Sequence, residues 1–159
     1  MPNKSGSPAA RVARRALLRA GLAGLVLMLP AEPARAADDD IVFTATVTAD
    51  DQSIPTESPG IGQAEVRLER ATLKITWNVT YRGLTSAAVS AGLYGPENVG
   101  ANAGRIVDLA VNGLKSPLRG SKLLSDGEFQ YLITGRVYVN IHTRKYPDGE
   151  LRGQLRRRR

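Results

Sequence analysis

Side chains that could bind a ligand or transfer a proton concentrate in the last quarter of the 159-residue chain. Polar and apolar residues alternate there in two segments, one on each side of the turn at residues 147–149. A period of two predicts a pair of antiparallel strands that carry their polar residues on one face. The polar set comprises Tyr138, Asn140, His142, Glu150, Arg152 and Gln154.

Two interpretations of this polar set are open. A loop over residues 144–148 would place Tyr138 opposite Gln154, Asn140 opposite Arg152 and His142 opposite Glu150. A histidine beside a carboxylate can act as a base in a catalytic or ligand-binding cluster. The same pairs can instead form a buried polar network that fixes the strand register. We favour the network, because the pairing alone explains the residue types and no Ser or Thr nucleophile can be assigned beside it. No catalytic residue is predicted.

The chain offers few soft metal ligands. It has no cysteine, and His142 is its single histidine. The lack of cysteine excludes disulfide frameworks, thiol catalysis and thiolate metal sites. Copper and zinc sites usually need three or four protein ligands, so one imidazole falls well short. We therefore predict neither a metal site nor a cofactor.

The elements that position these residues are short strands rich in Val, Ile and Thr. The predicted strands cover residues 41–48, 64–68, 73–81, 87–94, 105–111, 137–142 and 150–155, and residues 129–133 form a strand or a short helix. Residues 50–62 and 112–120 are predicted loops, and Gly153 is expected to let its strand bend or let another backbone approach. Seven or eight strands with turns between them predict an all-β fold, an antiparallel β-sandwich of the immunoglobulin-like or superoxide-dismutase-like kind.

The two C-terminal segments also resemble a known family. Residues 135–143 and 147–155 closely resemble the C-terminal motif of the CHRD domain, which is named for chordin and is common in exported bacterial proteins. The family pattern is roughly Y-V-N-x-H-T, a short turn and G-E-I-R-G-Q-L, with Leu151 here for the usual Ile. Residues 81–84 and the strand before them resemble the family's central hairpin. The resemblance covers residues 41–155 and implies protein–protein interaction, because chordin uses such domains in an extracellular binder of signalling proteins. We therefore expect a non-enzymatic protein-binding or structural module.

One departure from the family bears on metal binding. Family members often carry H-I-H-G-P in the middle strand, and Gly92 and Tyr94 stand where those two histidines would be. A His-x-His pair on a β-sandwich is similar to the arrangement in copper–zinc superoxide dismutase. The alternative interpretation is therefore a periplasmic metal-binding or redox protein. With the pair replaced, we expect this copy to have lost such a site.

The N-terminal segment is typical of an export signal. It has basic residues at its start, an apolar stretch over residues 20–29 that is too short to span a bilayer, and an Ala34-Arg35-Ala36 cleavage pattern. We predict a cleavable signal peptide over residues 1–36, with a retained anchor as the alternative. Arg14-Arg15, followed by an apolar pair, resembles the twin-arginine pattern, and ordinary secretion needs only the charge. The domain 37–155 is thus expected in the periplasm or outside the cell, without a transmembrane span after cleavage.

The charge of the chain is concentrated at its ends. The formal net charge is +7, and residues 1–36 hold six basic residues and one acid. Without those residues and the four arginines at 156–159, the domain is slightly acidic, which argues against nucleic-acid binding. Residues 156–159 are predicted to be a basic tail, either a solvated extension or a weak contact to a polyanion or the cell envelope. The predicted partner is an unidentified protein outside the cytoplasm.

Overall fold

The structure, a computed structural model, describes residues 40–54 and 56–159. This part of the chain forms nine strands and one helix. They are β1 (Asp40–Thr48), β2 (Ile61–Glu69), β3 (Lys74–Arg82), β4 (Ala88–Tyr94), β5 (Arg105–Asp108), β6 (Leu118–Leu123), α1 (Asp126–Ile133), β7 (Tyr138–Thr143), β8 (Leu151–Gln154) and β9 (Arg156–Arg157). The predicted signal peptide and its cleavage site lie outside the described residues.

All strand pairs are antiparallel and belong to one sheet, which confirms the all-β prediction. The strand order is β5-β4-β7-β8-β1-β2-β3-β6, with β9 paired to β1. The two end strands, β5 and β6, lie close together, since the Lys122 ammonium of β6 donates to the Ile106 carbonyl of β5 at 2.7 Å. Next to them, the Trp77 indole of β3 donates to the Leu109 carbonyl, directly after β5, at 3.3 Å. The sheet is therefore a sandwich that curls into a nearly closed barrel.

Alternating apolar residues of the sheet fill the inside of the barrel. In β1, β2 and β3, Phe43 pairs with Val66, and Val66 pairs with Trp77, so the three buried side chains form one layer. Burial of each large apolar side chain stabilises the fold by roughly 1.5–3 kcal/mol relative to exposure. Their outward neighbours are polar apart from Val42, largely as the period of two predicted.

The first half of strand β6 lies in the predicted loop 112–120, its second half was not assigned, and a glycine explains why its pattern was missed. Gly120 pairs with Trp77, and a Cβ on Gly120 would collide with the Trp77 ring. The ring thus fills the inward position that an apolar side chain of β6 would normally occupy. Only Leu118 of this strand is buried, so the usual alternation is absent.

The ambiguous segment at residues 129–133 belongs to helix α1. The Ser125 hydroxyl accepts from the Glu128 backbone N–H at 3.3 Å, and the Glu128 carboxylate accepts from the Ser125 backbone N–H at 2.8 Å. This reciprocal pair is a capping box, which satisfies backbone donors at the helix start. The spacing of Ser125 and Glu128 was the sequence signal for this helix.

The backbone of the C-terminal arginines belongs to the sheet at residues 156–158, whereas a solvated extension was one of the two alternatives for this tail. Arg156 pairs with Thr44 and Arg157 with Phe43, and the Arg158 backbone N–H donates to the Val42 carbonyl at 2.8 Å. The side chains of residues 156–159 remain exposed. Within the described residues, no helix has the length and apolar character needed to cross a membrane.

Candidate functional site

The hairpin of β7 and β8 has the predicted register over most of its length. Tyr138 pairs with Gln154 and Asn140 with Arg152. The third predicted pair, His142 with Glu150, is not formed. Instead, the Glu150 backbone N–H donates to the Ile141 carbonyl at 2.7 Å, one residue out of register. This shift turns the Glu150 side chain towards other segments and separates it from His142.

Glu150 is a fully buried carboxylate that is bound entirely by uncharged donors among the described residues. Its oxygens accept from the Ser58 hydroxyl at 2.6 Å, the Thr143 hydroxyl at 2.5 Å, and the backbone N–H and hydroxyl of Thr85 at 2.7 and 2.9 Å. Burial acts to raise the pKa of Glu150, but these hydrogen bonds outweigh it and the pKa is lowered. The carboxylate thereby ties the loops around residues 58 and 85 to the hairpin.

Arg152 is 1% exposed and fastens a third loop. Its guanidinium donates to the carbonyls of Asn98 and Ala101 at 3.2 and 2.7 Å and to the side-chain oxygen of Asn102 at 3.1 Å. No ion pair joins it to a carboxylate of the described residues. Its carbon lies 3.6 Å from the centre of the Tyr138 ring, a cation–π contact. Burial lowers the pKa of Arg152, but a guanidinium stays charged in proteins.

The amides of Asn140 and Gln154 have a similar role. The Asn140 side-chain oxygen accepts from the Gln52 amide at 2.8 Å, which fixes the loop after β1. The Gln154 amide nitrogen donates to the carbonyls of Glu97 and Gly135 at 3.2 and 2.8 Å. The buried polar side chains of the hairpin therefore hold the loops at residues 52–58, 85 and 97–102 against the sheet.

His142 differs from the others because it is only partly buried and lies at the surface. Its Nε2 lies 2.9 Å from the Tyr94 hydroxyl, and its Nδ1 lies 2.8 Å from the Pro147 carbonyl. A carbonyl can only accept, so Nδ1 carries the proton and Nε2 accepts from the tyrosine in the neutral ring. Both ring nitrogens are thus occupied, and His142 can act as a base only after Tyr94 moves.

The rings around His142 form a continuous column. The Tyr94 ring stacks on Tyr138 with centroids 5.6 Å apart, and its centroid is 5.5 Å from that of His142. Burial raises the pKa of Tyr94, which keeps its hydroxyl protonated and able to donate. The Tyr138 hydroxyl accepts from the Ala103 backbone N–H at 2.9 Å. The column therefore connects buried Arg152 to the partly exposed imidazole.

An open cleft of about 370 Å³ lies beside this column. The loop after β1, the loop after β4 and the β7–β8 turn form its walls, and β4 and β7 form its floor. It is lined by Ile54, Tyr94, Asn102, Ala103, Tyr138, Asn140, His142, Pro147 and Asp148. Three of the six predicted site residues line the cleft, while Glu150, Arg152 and Gln154 lie outside it.

The CHRD domain family model matches residues 43–155, from β1 to the residue after β8. The chain belongs to the CHRD family. No curated protein and no solved structure matches it. The match includes the hairpin of β7 and β8, so the network described above lies within the matched part of this CHRD domain.

The positions of the family's His-x-His pair can now be located in this CHRD domain. Gly92 pairs with Asn140, and Tyr94 pairs with Tyr138, on the strand next to His142. The Arg105 side chain covers Gly92, where an added Cβ would lie 2.7 Å from its Cδ atom. No group of three or more His, Cys, Asp or Glu side chains in the described residues could hold a metal ion. The residues present do not fit a copper or zinc site.

Sequence reasoning missed the cleft residues that come from outside the hairpin. Tyr94 was identified only as the replacement for a histidine, and Asn102 and Asp148 were not singled out. The last two lie in loops, where residue periodicity gives no information about which side chains meet. The one available signal for Asp148 is its place in the turn at 147–149, which joins the two strands that carry the polar face.

Proposed function

We propose that this CHRD-domain chain is an exported, non-enzymatic binding module whose partner is a protein outside the cytoplasm. The observation that supports this most directly is that the hairpin motif forms hydrogen bonds to the neighbouring loops. Its buried polar side chains hold three loops, around residues 52–58, 85 and 97–102, against the sheet. Loops positioned by a rigid scaffold are a common way to build a binding surface.

The hydrogen bonding of the motif supports a non-enzymatic role. Catalysis by general acids and bases needs a titratable group within reach of substrate. Glu150 and Arg152 are buried and fully engaged, and both nitrogens of His142 are occupied. The three groups that could transfer protons or stabilise charge are therefore committed to the fold.

Export is supported by the sequence of residues 1–36. Cell fractionation tests the location, and the double variant Arg14→Lys with Arg15→Lys tests the route. If the route is twin-arginine, the variant is retained in the cytoplasm. Unchanged export of the variant would assign the ordinary secretory route, and cytoplasmic retention of the wild type would contradict the proposal.

The partner is tested by crosslinking capture from the native envelope. Ile54 and Val99 are 61% and 56% exposed on two loops that touch through a hydrogen bond from the Ser53 hydroxyl to the Asn102 side chain at 3.0 Å. We expect Ile54→Ser with Val99→Ser to abolish capture of the partner. Leu123→Ser, at a 65% exposed position on strand β6, is the matched control and should leave capture intact. Unchanged capture of the partner by the Ile54→Ser, Val99→Ser double variant would contradict binding through these loops.

The metal-binding alternative is tested by elemental analysis of protein purified from its native compartment. Stoichiometric copper or zinc that disappears in His142→Ala would overturn the binding-module proposal. We expect substoichiometric metal that His142→Ala leaves unchanged, since the two neighbouring histidine positions hold Gly92 and Tyr94.

A weak polyanion contact through residues 156–159 is a second proposal, supported by the display of exposed arginines on strand β9. Of these four arginines, only Arg158 forms an ion pair with a carboxylate of the described residues, with Glu65 at 3.2 Å. Truncation would also remove the pairing of β9 with β1, so replacement of the four arginines by Gln is the sharper test. Loss of salt-sensitive binding to anionic vesicles would support the contact, and unchanged binding would exclude it.

A further inference from the structure

The cleft beside Tyr94 and His142 presents unused hydrogen-bonding groups of both kinds. The side-chain nitrogen of Asn102 and the hydroxyl proton of Tyr138 have no acceptor among the described residues, although the oxygens of both groups are engaged. The Asp148 carboxylate has no donor there. The Tyr94 hydroxyl donates to His142 and its oxygen is in hydrogen-bond contact with the Ser90 side chain, so both of its roles are taken within the domain. Two donors and the two acceptor oxygens of the Asp148 carboxylate thus belong to residues that line the same cleft.

These hydrogen-bonding groups restrict the charge and the hydrogen-bonding character of a ligand that the cleft can bind. An anion would meet the Asp148 carboxylate, the one charged side chain of the cleft lining, and would find no lining cation. A cation could use the acceptors but would leave both donors unsatisfied, and burying an unpaired polar group is costly. Hydroxyl groups donate and accept, so a neutral polyhydroxylated ligand satisfies both donors and the carboxylate oxygens.

The shape and the apolar lining agree with this chemistry. The volume of about 370 Å³ falls within the roughly 300–1,000 Å³ of small-ligand pockets. Ile54, Pro147 and the rings of Tyr94 and His142 supply apolar surface for the C–H faces of a sugar ring. From these observations we infer that the cleft binds a neutral saccharide unit. This goes beyond the proposed protein partner and does not depend on it.

Nuclear magnetic resonance of the ¹⁵N-labelled full chain tests the inference. The neutral probes are maltose, cellobiose, mannobiose and chitobiose, and the charged probes are inorganic phosphate and tetramethylammonium. At least one neutral probe should give saturable shifts in the amides of residues 102–103, 142 and 148–149. No shift with any neutral probe, shifts elsewhere on the surface, or equal shifts with a charged probe would overturn it.

A matched pair of variants locates the site. Asp148→Asn keeps the side-chain size and an Asn-Gly turn, so the fold should be retained, as a thermal melt can check. It replaces a charged acceptor and should weaken the Kd for the responding sugar roughly ten-fold. Asp126→Asn, an exposed carboxylate on α1 outside the cleft, should change the Kd less than about two-fold. Equal Kd values for both variants would remove Asp148 from the site and overturn the assignment.

The pull-down reports protein capture and this titration reports sugar binding, so the failure of one proposal leaves the other standing.

Discussion

The Arg152 guanidinium lies against the face of the Tyr138 ring, with its carbon 3.6 Å from the ring centre, although the two residues are not register partners. Arg152 pairs with Asn140, which lies two residues after Tyr138 in β7 and on the same face of the strand. This diagonal contact puts a buried cation at one end of the aromatic column and leaves its N–H groups free to hold the loop at residues 98–102. The side chain is therefore bound by a ring and by oxygens in place of a carboxylate.

We expect Arg152→Lys to destabilise the fold because a lysine cannot reproduce the planar fork that reaches three acceptors. The loss of these charge-assisted hydrogen bonds should lower the free energy of unfolding by about 2–4 kcal/mol. Urea unfolding followed by circular dichroism measures it. Arg82→Lys, at an exposed position at the end of β3, is the control and should change stability by less than about 0.5 kcal/mol. Equal effects at both positions would show that the Arg152 contacts contribute little.

Glu150 makes the stability of the domain sensitive to acid. Its folded-state pKa is lowered, so its contribution is fully present above the unfolded glutamate pKa of about 4.3 and is lost as the pH falls through the folded-state value. Glu150→Gln leaves at least one of the four donors without an acceptor and should cost about 2 kcal/mol at pH 7. The difference between wild type and variant should shrink below pH 4.3 or so.

Urea unfolding from pH 3 to pH 7 measures this difference. Glu57→Gln is the control, because Glu57 is exposed in the same loop as Ser58, which binds Glu150. Glu128 also has a lowered pKa, since the hydrogen bonds from Lys122 and Ser125 outweigh its burial. The stability that Glu128 loses in acid is common to wild type and Glu150→Gln and cancels in their difference. A difference between Glu150→Gln and wild type that stays constant across this range would contradict the assignment.

The sequence predicted the parts of the fold that depend on alternation and missed those that depend on a partner elsewhere in the chain. The register of Tyr138 with Gln154 follows from the period of two and a short turn. The hydrogen bonds of Glu150 do not, because Ser58 and Thr85 lie more than 60 positions away in segments without a pattern. Tyr94 was missed as a partner of His142 for the same reason: the β4–β7 pairing that joins them is long-range.

The hydrogen bond between Tyr94 and His142 predicts one tautomer of the histidine. Long-range ¹H–¹⁵N correlation spectra at neutral pH should show the proton of the uncharged ring on Nδ1. Tyr94→Phe should change the Nε2 chemical shift and lower the free energy of unfolding by about 0.5–1.5 kcal/mol, the net value of one hydrogen bond. Tyr131→Phe, whose hydroxyl has no hydrogen-bond partner among the described residues, should leave both quantities unchanged. A proton on Nε2 in the wild type would refute the geometry.

Two glycines of this domain predict opposite responses to the same substitution. A Cβ on Gly153 would collide with the Thr46 carbonyl of β1, a backbone atom that cannot move without disturbing the sheet. This is the close approach that the sequence suggested as one of two roles for this glycine. Gly153→Ala should therefore cost about 3 kcal/mol or more. In α1, a Cβ on Gly127 meets nothing within 4 Å, so Gly127→Ala should raise stability by up to about 1 kcal/mol through helix propensity. Thermal and urea unfolding compare the two variants directly. A Gly153→Ala protein as stable as wild type would contradict this close approach of β8 to β1.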